Sequence, residues 1–269
     1  MDFSEKQLDG PYEVCGVDIQ NQGKLLKGLL YFPPKPFEKP YPIILYFHGF
    51  PQLFTLREIV KSHKYILDLG YSFFVFNFRG YRFSEGNVSI QSHVSDGHKI
   101  IEFVELMAKD NIFNKNDINI IGHNFGAFIA LLICSQIKNI NRIILVTPIL
   151  DLRKRVFDDN FINTLNYINR FLPGNIRGIS NVNEFINLTK KELTSEEYQI
   201  QKVVDHLSCG KLKIVIGEKD KMTPISEVKE IMQHSKIDYE LTIINNMGHQ
   251  YIDDEKLEKL NKELINYFL

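Results

Sequence analysis

Gly122-His123-Asn124-Phe125-Gly126 is the stretch whose residue types and spacing come nearest to chemistry. An apolar, β-branched run (Ile118, Ile120, Ile121) precedes it, and an apolar segment reaching Cys134 follows it. Strand, sharp turn and helix, with glycines two before and two after a central residue, is the geometry of a nucleophile elbow, Gly-x-Ser-x-Gly. The small residues are needed because the central residue sits in a strained conformation and neighbouring backbone crowds it. Here the centre is Asn124. A carboxamide is not a nucleophile, so the pattern points to acyl transfer while its central residue withholds the covalent step.

The elements that must position this turn follow a strand–helix rhythm. Tyr12 to Ile19 and Leu25 to Phe32 read as a hairpin at a sheet edge, joined by the turn signal Asn21-Gln22-Gly23. Ile43 to Phe47 is a continuous apolar run, as a strand buried on both faces requires. Leu56 to Leu69 has helical spacing, Ser72 to Phe78 is a further buried strand, and His98 to Ala108 continues a helix. Arg142 to Thr147 is the strand after the elbow. The rhythm then changes: Phe157, Phe161, Leu165, Ile168 and Leu172 share one helical face, and Asn181 to Leu207 reads as further helix rich in Lys and Glu. Strands return at Leu212 to Ile216 and Tyr239 to Ile244, with helices from Ser226 to Gln233 and from Glu255 to Phe268. The expected fold class is α/β, a doubly wound and mostly parallel sheet. Residues 1–149 and 208–269 would form its core and residues 150–207 a helical cap. In such sheets ligands bind at the carboxyl ends of strands.

Composition narrows the function classes. The 269 residues are 44% hydrophobic, enough for one large domain, and the net charge of −1 gives no support for nucleic acid or an anionic membrane surface as a partner. The three cysteines (Cys15, Cys134, Cys209) are far apart and lack metal spacing, which points to a reducing, cytoplasmic setting. The first residues do not read as a signal peptide, and no apolar run approaches the length of a membrane span. No phosphate-binding loop or metal cluster is present, so no cofactor is expected.

Four loops after predicted strands carry polar groups in a distinctive order: His48-Gly49-Phe50, the elbow, Gly217-Glu218-Lys219-Asp220, and Gly248-His249. With Asn77-Phe78-Arg79-Gly80, they stand where the α/β-hydrolase superfamily has its landmarks, and the resemblance reaches from about Leu25 to Leu269. Asn77-Phe78-Arg79-Gly80 and Ser84-Glu85-Gly86 resemble its serine esterase and acyl-peptidase branch. The resemblance implies that His249 is the general base and that Asp220 accepts its other N–H. It implies that the backbone N–H groups of Phe50 and Phe125 form an oxyanion hole, and that Asn124 stands in the nucleophile's place.

Other polar residues read more simply as structure. His48 and His123 orient loops beneath the site, Arg79 positions loops, and Cys134 is core. Ser84 and Ser95 are not at an elbow and are not substitute nucleophiles. Arg153-Lys154-Arg155 is a solvated charge run, with contact to an anionic substrate tail as the alternative. The cap aromatics Phe157, Phe161 and Phe171 suggest an apolar acyl or aryl ligand.

Asn124 leaves three readings open. The chain is a hydrolase descendant, natural or altered from Ser or Asp, with hydrolysis impaired or lost. Alternatively, it is a non-catalytic protein that binds a ligand or a protein partner, as in a lipid-droplet lipase co-activator of this fold that is similar in carrying Asn at its elbow. In the third, His249 and Asp220 act without a covalent step. Epoxide hydrolases and haloalkane dehalogenases use Asp at this position, and His48-Gly49-Phe50-Pro51 resembles their oxyanion-hole loop.

Overall fold

The run Ile43-Ile44-Leu45-Tyr46-Phe47 shows how the sequence builds the molecule. In an extended strand alternate side chains face opposite sides. Ile43, Leu45 and Phe47 therefore enter one apolar cluster and Ile44 and Tyr46 another, and all five are buried. Only a strand with helices on both faces allows this. The computed structural model describes residues 2–250 and 254–269.

Among the described residues the strands are β1 (Asp2–Phe3), β2 (Gln7–Asp9), β3 (Tyr12–Asn21), β4 (Lys24–Phe32), β5 (Tyr41–Phe47) and β6 (Ser72–Phe76). They continue with β7 (Phe113–His123), β8 (Ile140–Val146), β9 (Cys209–Gly217) and β10 (Tyr239–Ile244). They form one sheet in the order β1-β3-β4-β6-β5-β7-β8-β9-β10, with β2 paired to β3. From β6 to β10 every pairing is parallel, while β1, β2, β3 and β4 add antiparallel strands on one side. The sheet is the doubly wound, mostly parallel α/β architecture expected from the sequence.

The helices are α1 (Leu56–Ser62), α2 (Tyr65–Asp68), α3 (Ile90–Lys109), α4 (Phe125–Cys134), α5 (Leu152–Val156), α6 (Asp159–Phe171), α7 (Val182–Glu192), α8 (Ile200–Asp205), α9 (Ile225–Met232) and α10 (Asp254–Phe268). Helices α3 and α4 share a cluster with Phe47, Phe76 and Ile120, while α1, α2 and α10 cover the other face. On α10 the spacing Leu260, Leu264, Phe268 places three buried side chains on one stripe. Burying each stabilises the fold by roughly 1.5–3 kcal/mol.

Several boundaries differ from the sequence reading, three of them in the helices as follows. Leu56–Leu69 is two helices, broken at His63, whose buried imidazole bonds the Ile59 carbonyl. Helix α3 starts at Ile90, eight residues before His98, because Ser89 and Ser92 cap it reciprocally. Within Asn181–Leu207 the chain forms α7, a 3-10 turn (Glu196–Tyr198) and α8.

Helices α5 to α8 all lie between β8 and β9. This stretch is stitched to the loop after β6. Arg82 N–H donates to Asn175 O (3.0 Å), Val88 N–H to Arg177 O (3.0 Å) and Arg177 N–H to Gly80 O (2.7 Å). The Glu192 carboxylate at the end of α7 accepts the free N–H groups of Ile90 and Gln91 at the start of α3 (3.0 and 2.9 Å).

Candidate active site

Strand β7 ends at His123 and α4 begins at Phe125, so Asn124 is the whole connection. Its backbone is strained, at φ 54° and ψ −116°. The glycines around it permit close backbone approach. A Cβ on Gly126 would stand 2.0 Å from Phe47 O, and one on Gly122 would stand 2.7 Å from Ala127 Cα. A Cβ on Gly49 would meet Asn124 Cβ at 2.8 Å. These three glycines let the end of β5, the turn and α4 converge on one point.

The Asn124 carboxamide bonds polar groups from two other loops and its own, and a third loop joins through His249. Its Oδ1 accepts from Phe125 N–H (2.6 Å) and Phe50 N–H (3.3 Å). Its Nδ2 donates to His249 Nε2 (2.5 Å). His249 Nδ1–H donates to Asp220 Oδ2 (2.9 Å). Asp220 Oδ1 accepts from Met222 N–H and Thr223 N–H, both 2.9 Å. This chain fixes the tautomer: Nδ1 carries the proton and Nε2 presents a lone pair. It also fixes the amide orientation, because oxygen must face two donors and nitrogen must face one acceptor.

The His249 and Asp220 loops are joined to each other. Lys219 N–H donates to Met247 O (2.8 Å), Glu218 N–H to Ile244 O (3.0 Å), and Asn246 N–H to the Glu218 carboxylate (2.9 Å). Gly217 makes this possible, since a Cβ there would stand 2.2 Å from Met247 O. The Phe50 loop is braced from below. His48 Nδ1–H donates to Gly49 O (2.9 Å) and Nε2 accepts from Phe78 N–H (3.0 Å). Complete burial lowers the His48 imidazole to about 4, so it stays neutral.

A cavity of about 540 Å³ opens beside this group. Its apolar wall includes Phe50, Phe125, Ile149, Val156, Phe161 and Phe185, while Arg155, Asp158 and Lys221 supply charge. The Phe50 ring stacks on Phe185 (5.6 Å, 13°) and lies 5.7 Å from the Phe161 ring. His93 also lines the cavity. Its Nδ1 bonds Ser89 O (2.7 Å), and its buried Nε2 has no hydrogen-bond partner among the described residues.

Of the three cap aromatics, Phe161 lines the cavity, whereas Phe157 and Phe171 do not and are 68% and 54% exposed. This corrects the sequence reading. Helix α6 begins only at Asp159, so Phe157 lies before it and leaves the expected face; Lys190 Nζ sits 4.1 Å from its ring centroid. Phe171 turns outward against Tyr167, one turn earlier on the exposed side (4.7 Å). Phe185 and His93 were not picked out from the sequence; each belongs to an ordinary helical stretch with no motif around it. Arg155 was read as part of a solvated run, but it is partly buried at the cavity and bonds Met222 O.

The remaining candidates are structural. Ser84 Oγ is buried between Asn77 O (2.7 Å) and Lys27 N–H (2.9 Å). Arg79 pairs with buried Asp96 through its guanidinium and its backbone N–H, both at 2.8 Å. Cys134 is fully buried in α4. Among the described residues no group of three or more His, Cys, Asp or Glu side chains could hold a metal ion, and no helix is long and apolar enough to cross a membrane.

The chain is similar to known proteins. The chain is 25% identical over 201 residues to a lysophosphatidylserine lipase, ABHD12, of Danio rerio, a match covering 73% of this chain and 48% of that protein. The Bos taurus lysophosphatidylserine lipase ABHD12 is 26% identical over 190 residues, covering 68% and 43%. The chain thus spans about half the length of the curated relatives it matches. Among solved structures, Est1E of Butyrivibrio proteoclasticus with bound ferulic acid superposes with a TM-score of 0.70 at 18% identity, covering 93% of this chain and 97% of that one. A serine hydrolase homologue from Coxiella burnetii superposes with a TM-score of 0.63 at 18% identity, covering 94% and 97%. Residues 42–201 match the model of the alpha/beta hydrolase fold, and the chain belongs to that family.

Proposed function

We propose that this protein is an acyl-ester hydrolase by descent, of the serine esterase and acyl-peptidase type, whose site now holds an apolar acyl or aryl ligand with hydrolysis impaired or lost. Asn124 occupies the nucleophile's place. His249 is the general base, Asp220 orients it, and the N–H groups of Phe50 and Phe125 form the oxyanion hole. Residues 150–207 are the cap that shapes the pocket.

One observation carries this reading. The Asn124 carboxamide bonds both N–H groups and His249 at the same time. In this reading those are the groups that would stabilise a tetrahedral intermediate and move its proton, and a side chain that cannot form an acyl-enzyme engages them. Relatives named as lysophosphatidylserine lipases, and a related esterase holding ferulic acid, support an acyl or aryl ester as the ligand class.

The test is Asn124→Ser. Removing a triad member leaves roughly 10³–10⁴ of rate over water, so the parent should be a poor hydrolase. The Ser variant should form a covalent adduct with a fluorophosphonate probe and cleave p-nitrophenyl esters that the parent does not. A folded Ser variant without an adduct would sink the reading.

A further inference from the structure

We infer that Asn124 is a self-modification site: the protein hydrolyses its own Asn124 carboxamide to a carboxylate, releasing ammonia. The inference rests on the reading above that His249 is the general base, that Asp220 orients it and that the two N–H groups form an oxyanion hole.

The Asn124 side chain is placed as a substrate amide would be. Its Oδ1 lies in the position that two converging N–H donors polarise, at 2.6 and 3.3 Å. Its leaving nitrogen lies 2.5 Å from His249 Nε2, the atom that must deliver a proton to it. Behind His249, Asp220 is buried and holds Nδ1–H at 2.9 Å, which stabilises an imidazolium. The cavity borders Asn124 and His249, and it is the side from which the attacking water would come.

The step balances with water alone. The Nδ2–H···Nε2 hydrogen bond opens, a water oxygen forms a bond to Cγ, the water's proton passes to the freed lone pair of His249 Nε2, and the C=O electron pair moves to Oδ1, facing the two N–H groups. The pair then returns, the Cγ–Nδ2 bond breaks, and His249 gives its proton to the departing nitrogen. The products are an aspartate side chain at position 124 and ammonium, with no change in oxidation state. The result is a carboxylate facing the cavity where a carboxamide stood.

This route differs from ordinary asparagine deamidation, in which the next backbone nitrogen attacks Cγ and yields mostly isoaspartate. Here Phe125 N–H points at Oδ1 as a donor and opens α4. Direct water attack yields aspartate only.

The purified protein is incubated at neutral pH in ordinary and in heavy-oxygen water, and the peptide carrying Asn124 is followed by mass spectrometry. The expected result is a gain of about one mass unit in ordinary water and about three in heavy-oxygen water, faster than at exposed Asn245, with no isoaspartate. His249→Gln should slow conversion about a hundredfold or more, the usual weight of general acid–base catalysis. Conversion no faster than at Asn245, isoaspartate as the product, or an unchanged rate in folded His249→Gln overturns the inference. If that variant does not fold, the product identity in the parent still decides. An active Asn124→Ser esterase combined with an unmodified parent would overturn this inference and leave the proposed function standing.

Discussion

The side-chain nitrogen of Asn124 lies 2.5 Å from Nε2 of His249, across 125 positions of sequence. An imidazole lone pair accepts an amide hydrogen well, so both side chains are satisfied without any ionised form. A carboxylate at 124 would instead face that lone pair with another lone pair.

This contrast sets the first expectation. In the Asn124→Ser background, Asp220→Asn should lower kcat by about 10⁴, because the imidazole loses the acceptor that holds its tautomer. The check is p-nitrophenyl ester turnover; a loss under tenfold would show that Asp220 does not serve His249.

Cavity shape gives the second expectation. In the same background, Phe185→Ala should raise KM for an aromatic ester by about tenfold, the scale of one lost apolar contact. Phe157→Ala should leave KM within about twofold, since its ring lies outside the cavity. Equal effects of the two substitutions would place the ligand elsewhere.

Glycine packing gives the third. Gly126→Ala should destabilise the protein by roughly 2–4 kcal/mol in urea, because its Cβ meets the Phe47 and His48 carbonyls at 2.0 and 2.6 Å and backbone cannot step aside. Gly16→Ala, where only Ser4 approaches, at 3.2 Å, should cost about 0.5 kcal/mol or less. A urea midpoint for Gly126→Ala equal to that of the parent would contradict the packing described here.

The fourth concerns pH. Burial lowers His48 and His63 to about 4 and His93 to about 3, from an ordinary value of 6.5. Below pH 6.5 the unfolded chain binds protons at these positions that the folded chain does not, so stability falls with pH. The contribution is complete above about 6.5 and drains away as pH falls towards 4. Each histidine adds up to about 1.4 kcal/mol per pH unit to the slope in that window. Urea midpoints at pH 7 and pH 5 should differ more in the parent than in His63→Phe; identical differences would mean that His63 is not held neutral.

Much of this architecture was legible in the chain. The runs at Ile43–Phe47 and Ile118–Ile121 are buried on both faces, so composition alone marks them as strands, and Gly122 and Gly126 flag a crowded turn. What could not be read depends on contacts between distant segments. The β1 and β2 strands are two and three residues long and exist only by pairing with β3. The break at His63 arises because a side chain takes a helix carbonyl, which propensity does not record. The outward turn of Phe157 follows from a helix that restarts two residues later than its periodicity suggested. The double engagement of Asn124 requires the ends of β5, β7 and β10 to meet, and no local pattern encodes that.

Phe50 belongs to two structures at once. Its N–H reaches Asn124 Oδ1, while its ring is stacked on Phe185 of α7 and flanked by Phe161 of α6. Helices α6 and α7 cannot swing away from the sheet without releasing that ring. One side chain therefore ties the placement of α6 and α7 to the placement of the loop that presents the Phe50 N–H: a shift of either helix is a shift in what holds that loop.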